Sequence, residues 1–239
     1  MPAISMERLL KQLLEAGQYA ERHHADDEAP ARPVYPMVAI ACDYGSAGEP
    51  IGIALARLLG VHFLGDDLGQ APSETLNLEE VLLQRLEEEG RRRHQHRGLL
   101  DFLGGSPTTM PAYRRHLIDA LLVIAEKEGA VVMNRAAHVF LRDRPVFRLR
   151  LIVSENVGAE RVARRASVSL DEARIRIQEI NEDRRRYQRA LLGREMLGSE
   201  HFDLTLNTDR MTTPEAVAEA LVQAMRALGL PTSRTDRGT

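Results

Sequence analysis

A single cysteine, Cys42, stands in a chain of 239 residues. One thiol excludes both a disulfide framework and a cysteine-rich zinc site. No apolar run reaches the ~18 residues that a membrane-spanning helix takes, and the N-terminus lacks the layout of a secretory leader. The chain is therefore expected in the cytoplasm, with no membrane partner. Lysine is almost missing as well, occurring only at Lys11 and Lys127. The net charge of -3 gives no electrostatic reason to expect nucleic acid. There is no internal repeat, and 44% apolar residues over this length suffice for one large core.

Arginine takes the place of lysine. Between Arg142 and Arg194 there are fourteen arginines, no lysine and eight acids, a bias read as composition before it is read as a site. His94 and His96 are two apart in a helical stretch, so they point to different faces and do not converge on a metal. No metal-ligating residues are assigned.

Residues 1–36 read as a leucine-rich helix followed by a polar linker with several prolines, HHADDEAPARPVYP. Such a helix offers a surface for homo-oligomerisation. The core spans 37–228. It opens on the strand VAIA, followed by a helix at 50–59, a second strand in VHFLGDD, a helical stretch at about 78–97, a loop at 103–111 and a helix at 113–128. Strand, turn and short helix come next in GAVVMNRAAHVFLRDRP, then the strand VFRLRLIVS and an arginine-bearing helix. Ser169 and Glu172 form a capping box at the head of a long helix to about Leu192, and the strand DLTLNT precedes a last helix with Pro214 in its first turn. Residues 229–239 are expected to be a disordered tail. Five apolar strands alternating with helices predict an α/β fold, a parallel five-stranded sheet covered by helices on both faces, with ligands at the carboxyl ends of the strands.

The loop after the first strand, ACDYGSAGEPIG at 41–52, has the order strand, glycine turn, helix that aims backbone N–H groups at an anion. Laid on the phosphate-loop pattern GxxxxGK[ST], however, the glycines fall at Cys42 and Ala47, the lysine at Gly48 and the hydroxyl residue at Glu49. Tyr44, Gly45, Ser46, Ala47, Gly48 and Glu49 are the candidate cofactor-binding residues. A carboxylate beside a triphosphate would cost on the order of 1–4 kcal/mol. Glu49 and Pro50 are also simply good first-turn helix residues.

Several separated segments together resemble the cytidylate kinase-like proteins of the nucleoside monophosphate kinase group. The loop resembles their SREYGSGGREIA, LARLLGVHFLGDD their LAxxLGxxYYD, and VVMNRAA their VIVGRGA. SLDEARIRIQEINEDRRRYQRALLG resembles their SxxEAxxxIxxxDxxRxxYxxxxxG, and DLTLNT their strand ending in NT. The likeness covers about 37–226 in the same order.

It implies a P-loop nucleoside monophosphate kinase-like fold with helical substrate and lid segments. It also implies transfer of the ATP γ-phosphoryl group, with Mg²⁺, to a nucleoside monophosphate partner, CMP or dCMP first. Arg184, Arg185 and Asp183 fall in the lid-like segment, where arginine stabilises the moving phosphoryl group and is assigned a catalytic role. Arg135 takes the arginine of GRGA and is assigned to substrate. Asp66 or Asp67 stands for the acid after the second strand. Arg161 shares a helix face with both Arg164 and Arg165, so Arg161 and Arg165 are candidate phosphate clamps. The alternative is a kinase fold that binds nucleotide or a protein partner without phosphoryl transfer.

Overall fold

The computed structural model describes residues 34–65 and 109–233. The N-terminal helix, the helical stretch at 78–97 with His94 and His96, and residues 234–239 of the tail lie outside them, as do Asp66 and Asp67.

Strand β1 (Met37–Cys42) is buried along its whole length because it sits at the centre of the sheet. The strands β2 (His62–Leu64), β3 (Ala130–Met133), β4 (Phe147–Ile152) and β5 (Leu204–Asn207) join it in the order β2-β3-β1-β4-β5, and every pairing is parallel. This is the expected sheet. Alternate side chains of β1 leave it on opposite faces, and each set finds its own cover. Met37 and Ala39 pack with Leu117, Leu121 and Ile124 of α2 (Thr109–Lys127). Val38, Ile40 and Cys42 pack instead with Ile51 and Leu55 of α1 (Gly48–Leu59) and with Leu221 and Met225 of α6 (Pro214–Ala227). Both faces of a parallel sheet are thereby buried, which its doubly apolar strands require.

Strand β4 departs from the all-apolar pattern. Phe147, Leu149 and Leu151 are fully buried, while Arg148 and Arg150 alternate with them and point to the other face. That face is the one that Ala39 and Ala41 share, as the partners of Arg148 and Arg150 in the register. Beyond β4, the helices α4 (Glu155–Ala166) and α5 (Leu170–Leu192) pack on each other through Ala159, Val162 and Ala173. A short helix, α3 (Ala137–Phe140), follows β3.

Helix starts differ from the sequence expectation in two places. Helix α1 begins at Gly48, so that Glu49 and Pro50 lie inside its first turn. Helix α2 begins at Thr109, within the stretch expected to be loop. Pro111 causes no break there, because a first-turn residue has no intrahelical N–H bond to lose. The caps behave as the sequence implies: the Ser169 hydroxyl accepts from Glu172 N at 3.2 Å, and the Thr213 hydroxyl accepts from Ala216 N at 3.1 Å, with Pro214 next to it.

Candidate active site

Residues 43–47 turn the chain from β1 into α1. The Asp43 carbonyl accepts from Ser46 N at 3.2 Å and from Ser46 Oγ at 2.7 Å, closing the turn on a fully buried hydroxyl. Gly45 has φ of 91°, and a Cβ there would sit 3.0 Å from the Gly158 Cα of α4. Only glycine provides both the conformation and the clearance. The next left-handed residue is Ala47, at φ of 60°. Among the described residues the amides of Gly45, Ala47, Gly48 and Glu49 make no hydrogen bond. A helix start with open amides and a positive dipole end is an anion-binding element.

Glu49, the residue that most opposed phosphate binding in the sequence, is matched by a cation. Its Oε2 accepts from Arg165 Nη2 at 3.1 Å. The Arg165 side chain is 74% exposed, so the pair offsets charge and adds little stability.

Beside the loop, at the carboxyl ends of β1, β3 and β4, a cavity of about 270 Å³ is walled by Arg135, Arg150, Arg184, Arg185, Asp43, Asp183, Asn134 and Asn181, with Tyr187, Gln188, Ile180 and Leu197. Among the described residues, four guanidinium groups against two carboxylates make the wall positive, which suits an anionic guest.

Arg135 is 7% exposed, and its guanidinium lies over the Tyr187 ring at 5.5 Å. The Tyr187 hydroxyl is in turn 2.8 Å from the Tyr113 hydroxyl. Arg184 lies over the Tyr44 ring at 5.8 Å and donates from Nη1 to the Cys42 carbonyl at 3.0 Å. Stacking on an aromatic face is a use of arginine that lysine does not share. Arg150 of β4 holds Asp43 at 2.6 Å. Arg185 donates to Glu182 at 3.0 Å. Hydrogen bonds from Arg185, then from Arg189, hold the Glu182 carboxyl below its usual range.

The segment that delivers Arg135 is strained. Asn134, Arg135 and Ala136 all adopt positive φ, at 62°, 49° and 54°, each costing roughly 1–2 kcal/mol for a residue with a Cβ. Asn134 is the best suited of the three, since its short amide bonds locally. Its Oδ1 accepts from Cys42 N at 3.2 Å and its own N–H donates to the Ile40 carbonyl at 2.6 Å, tying β3 to β1.

The residues singled out from the sequence separate into three groups. Tyr44 to Glu49 form the loop, and Arg135, Asp183, Arg184 and Arg185 gather on the cavity wall. Arg161 and Arg165 are not on that wall. Arg161 donates to Thr208 Oγ1 at 3.0 Å, to the Thr208 carbonyl at 2.6 Å and to the Gly45 carbonyl at 3.5 Å, bracing the loop against the end of β5, while Arg165 faces Glu49. Asp66 and Asp67 lie outside the described residues.

Arg150, Asp43 and Asn181 are among the wall residues that escaped the sequence reading. Arg150 was signalled by the alternation FRLRL, and Asp43 by its place directly after β1. Asn181 falls, on counting, where the family-like pattern SxxEAxxxIxxxDxxR has its acid.

A family model described as the cytidylate kinase-like family matches residues 37–210. The chain belongs to that family. No curated protein matches it. Among solved structures, an uncharacterized protein from Eubacterium ventriosum ATCC 27560 is similar over 80% of this chain and 99% of its own, with 14% identity and a TM-score of 0.58, a likeness of fold. Shikimate kinase from Bacteroides thetaiotaomicron shares 16% identity over 82% of this chain and 99% of its own, at a TM-score of 0.43. Shikimate kinase from Acinetobacter baumannii, solved with shikimate, shares 15% over 82% and 96%, also at 0.43. Within the cytidylate kinase-like family, this member carries Glu49 in its loop and Arg135, Arg150, Arg184 and Arg185 on the cavity wall. No described helix is long and apolar enough to cross a membrane, and among the described residues no group of three or more His, Cys, Asp or Glu is gathered to hold a metal.

Proposed function

We propose that this protein is a nucleoside monophosphate kinase that transfers the γ-phosphoryl group of ATP to CMP or dCMP. The observation that carries the reading is a juxtaposition: a loop with four open amides ends on the same sheet edge as a cavity lined by Arg135, Arg150, Arg184 and Arg185. Phosphoryl transfer calls for positioning and for positive charge around the moving group, with little covalent work by the protein.

In this reading the loop amides bind the ATP phosphates, and Arg135 and Arg184, each stacked on a tyrosine, meet the acceptor phosphate and the transferred group. Arg185 adds charge from the same helix. Asp183 lines the same cavity. Mg²⁺, when bound, would neutralise part of the triphosphate charge, and the wall offers the carboxylates of Asp43 and Asp183 as the oxygen donors a hard cation takes.

The test is ADP release, coupled to a reporter, with ATP, Mg²⁺ and a panel of nucleoside monophosphates. Turnover highest with CMP or dCMP supports the assignment, and no turnover above background with any acceptor rejects it. Glu49 favours a second reading, a fold that binds nucleotide without transferring phosphate, because its carboxylate occupies the first helical turn at the loop. Calorimetric titration separates the two: tight binding of ATP and CMP with no turnover fits only the second.

A further inference from the structure

Asn181 projects from the inner face of α5 onto the cavity wall. Its Oδ1 accepts the Tyr44 backbone N–H at 2.8 Å. A backbone N–H can only donate, so this contact fixes which end of the carboxamide faces the loop. The Nδ2 end is turned away from Tyr44, and among the described residues it donates to nothing. Two facts place that end beside the stretch of loop where an anion would bind. Tyr44 belongs to the phosphate-type loop itself, and Arg184, one helical turn on and on the same face, reaches the Cys42 carbonyl at the base of that loop at 3.0 Å.

We propose that Asn181 contacts the ligand of this site, donating its side-chain N–H groups to a phosphoryl oxygen. The inference rests on the reading of the cavity as a phosphate-transfer site, and adds a residue and a sign to it. A carboxylate at this position would satisfy the Tyr44 amide equally well, but would turn a negative oxygen, not a donor, toward the guest. The family-like pattern has an acid at this position, but in this chain Glu49 already stands in the loop and Asp43 and Asp183 on the same wall, so a further acid would oppose a polyanion more. The neutral amide therefore selects for a ligand group that accepts hydrogen bonds.

The test is Asn181→Asp in the full chain, a change of one atom that keeps the acceptor for Tyr44. Inorganic pyrophosphate serves as the probe in calorimetric titration at fixed ionic strength. At pH 8 the variant is expected to bind about tenfold more weakly or worse, through one lost donor and one added like charge. The deficit should shrink as pH falls toward the carboxyl's own titration near ~4, a recovery that a misfolded or merely slackened variant would not show. Equal or tighter binding by the variant at pH 8, a deficit independent of pH, or a wild-type protein that ignores pyrophosphate would each overturn the inference. Wild-type protein that shows the full pattern yet turns over no monophosphate refutes the kinase reading and leaves the role of Asn181 standing. Turnover with an unaffected variant refutes the role alone.

Discussion

Acidification should destabilise this fold through one side chain, His138. It is 2% exposed, its Nε2 lies 2.8 Å from the Met196 carbonyl, and its ring stacks on Phe202 with centroids 4.7 Å apart. The carbonyl needs a donor, so Nε2 carries the proton and Nδ1 is a bare acceptor, buried with no hydrogen-bond partner among the described residues. Burial pushes the pKa of His138 down from 6.5 to about 4, because a second proton would place a charge out of water, and His201, Arg150 and Arg148 repel it further. The unfolded chain takes up that proton near 6.5, the folded one only near 4, so stability is complete above 6.5 and is lost as the pH falls between the two values. The full interval, about 2.5 units at 1.36 kcal/mol each, is worth roughly 3 kcal/mol. At pH 5, about 1.5 units into it, the loss should be roughly 2 kcal/mol. Urea unfolding at pH 8 and pH 5 measures it, with His138→Gln as the non-titrating reference that still offers an N–H to Met196. The variant starts lower, having lost the ring stack, but its stability should fall by roughly 2 kcal/mol less than wild type between the two pH values, at unchanged m. Equal losses in both proteins would show that His138 is accessible to protons when folded, and the burial argument would fail.

Ala47 holds a left-handed conformation at φ of 60° that glycine adopts freely, so Ala47→Gly should stabilise the protein by about 1 kcal/mol and raise Tm by a few degrees; a lower Tm would refute the strain. Gly45→Ala should do the reverse. Its Cβ would meet the Gly158 backbone at 3.0 Å, and a loss of about 2 kcal/mol or more is expected, read by thermal melt, with weaker ATP binding in titration. Glu49→Arg should strengthen ATP binding by about tenfold, most at low salt, by replacing an acid at the helix start with a cation; unchanged or weaker binding would count against phosphate at this loop.

The sheet was legible because its signals are local and redundant. Runs such as VAIA and AVVM between glycine turns read as buried strands without tertiary knowledge, and Ser169, Thr213 and Pro214 mark helix starts by their own chemistry. The site was legible only in part, because its key facts are contacts between distant segments. Arg161 looked like a phosphate clamp on helical spacing alone. Nothing local discloses that its guanidinium reaches Thr208, 47 residues away in sequence. Glu49 looked disqualifying in isolation, since the cation that meets it, Arg165, is 116 residues distant. Asn134 stands where the family-like segment has glycine, and it takes a left-handed backbone at φ of 62°, with its side chain turned to Cys42.

These contacts also explain how an arginine-rich segment yields a specific cavity. An arginine contributes to phosphate binding only if the fold leaves its donors facing the guest, and several here are engaged elsewhere. Arg161 braces the loop through carbonyl and hydroxyl oxygens. Arg148 is held by Asp203, and Arg174 and Arg176 pair with acids on their own helix. Arg135 and Arg184 have their guanidinium groups over tyrosine rings, a contact that helps to orient the planar group at the cavity wall. The strain at 134–136 fits the same logic. Three consecutive left-handed residues cost several kcal/mol by order of magnitude, and what they deliver is a nearly buried guanidinium on the cavity wall. A less strained turn would release that energy and give up the backbone course that brings Arg135 over Tyr187.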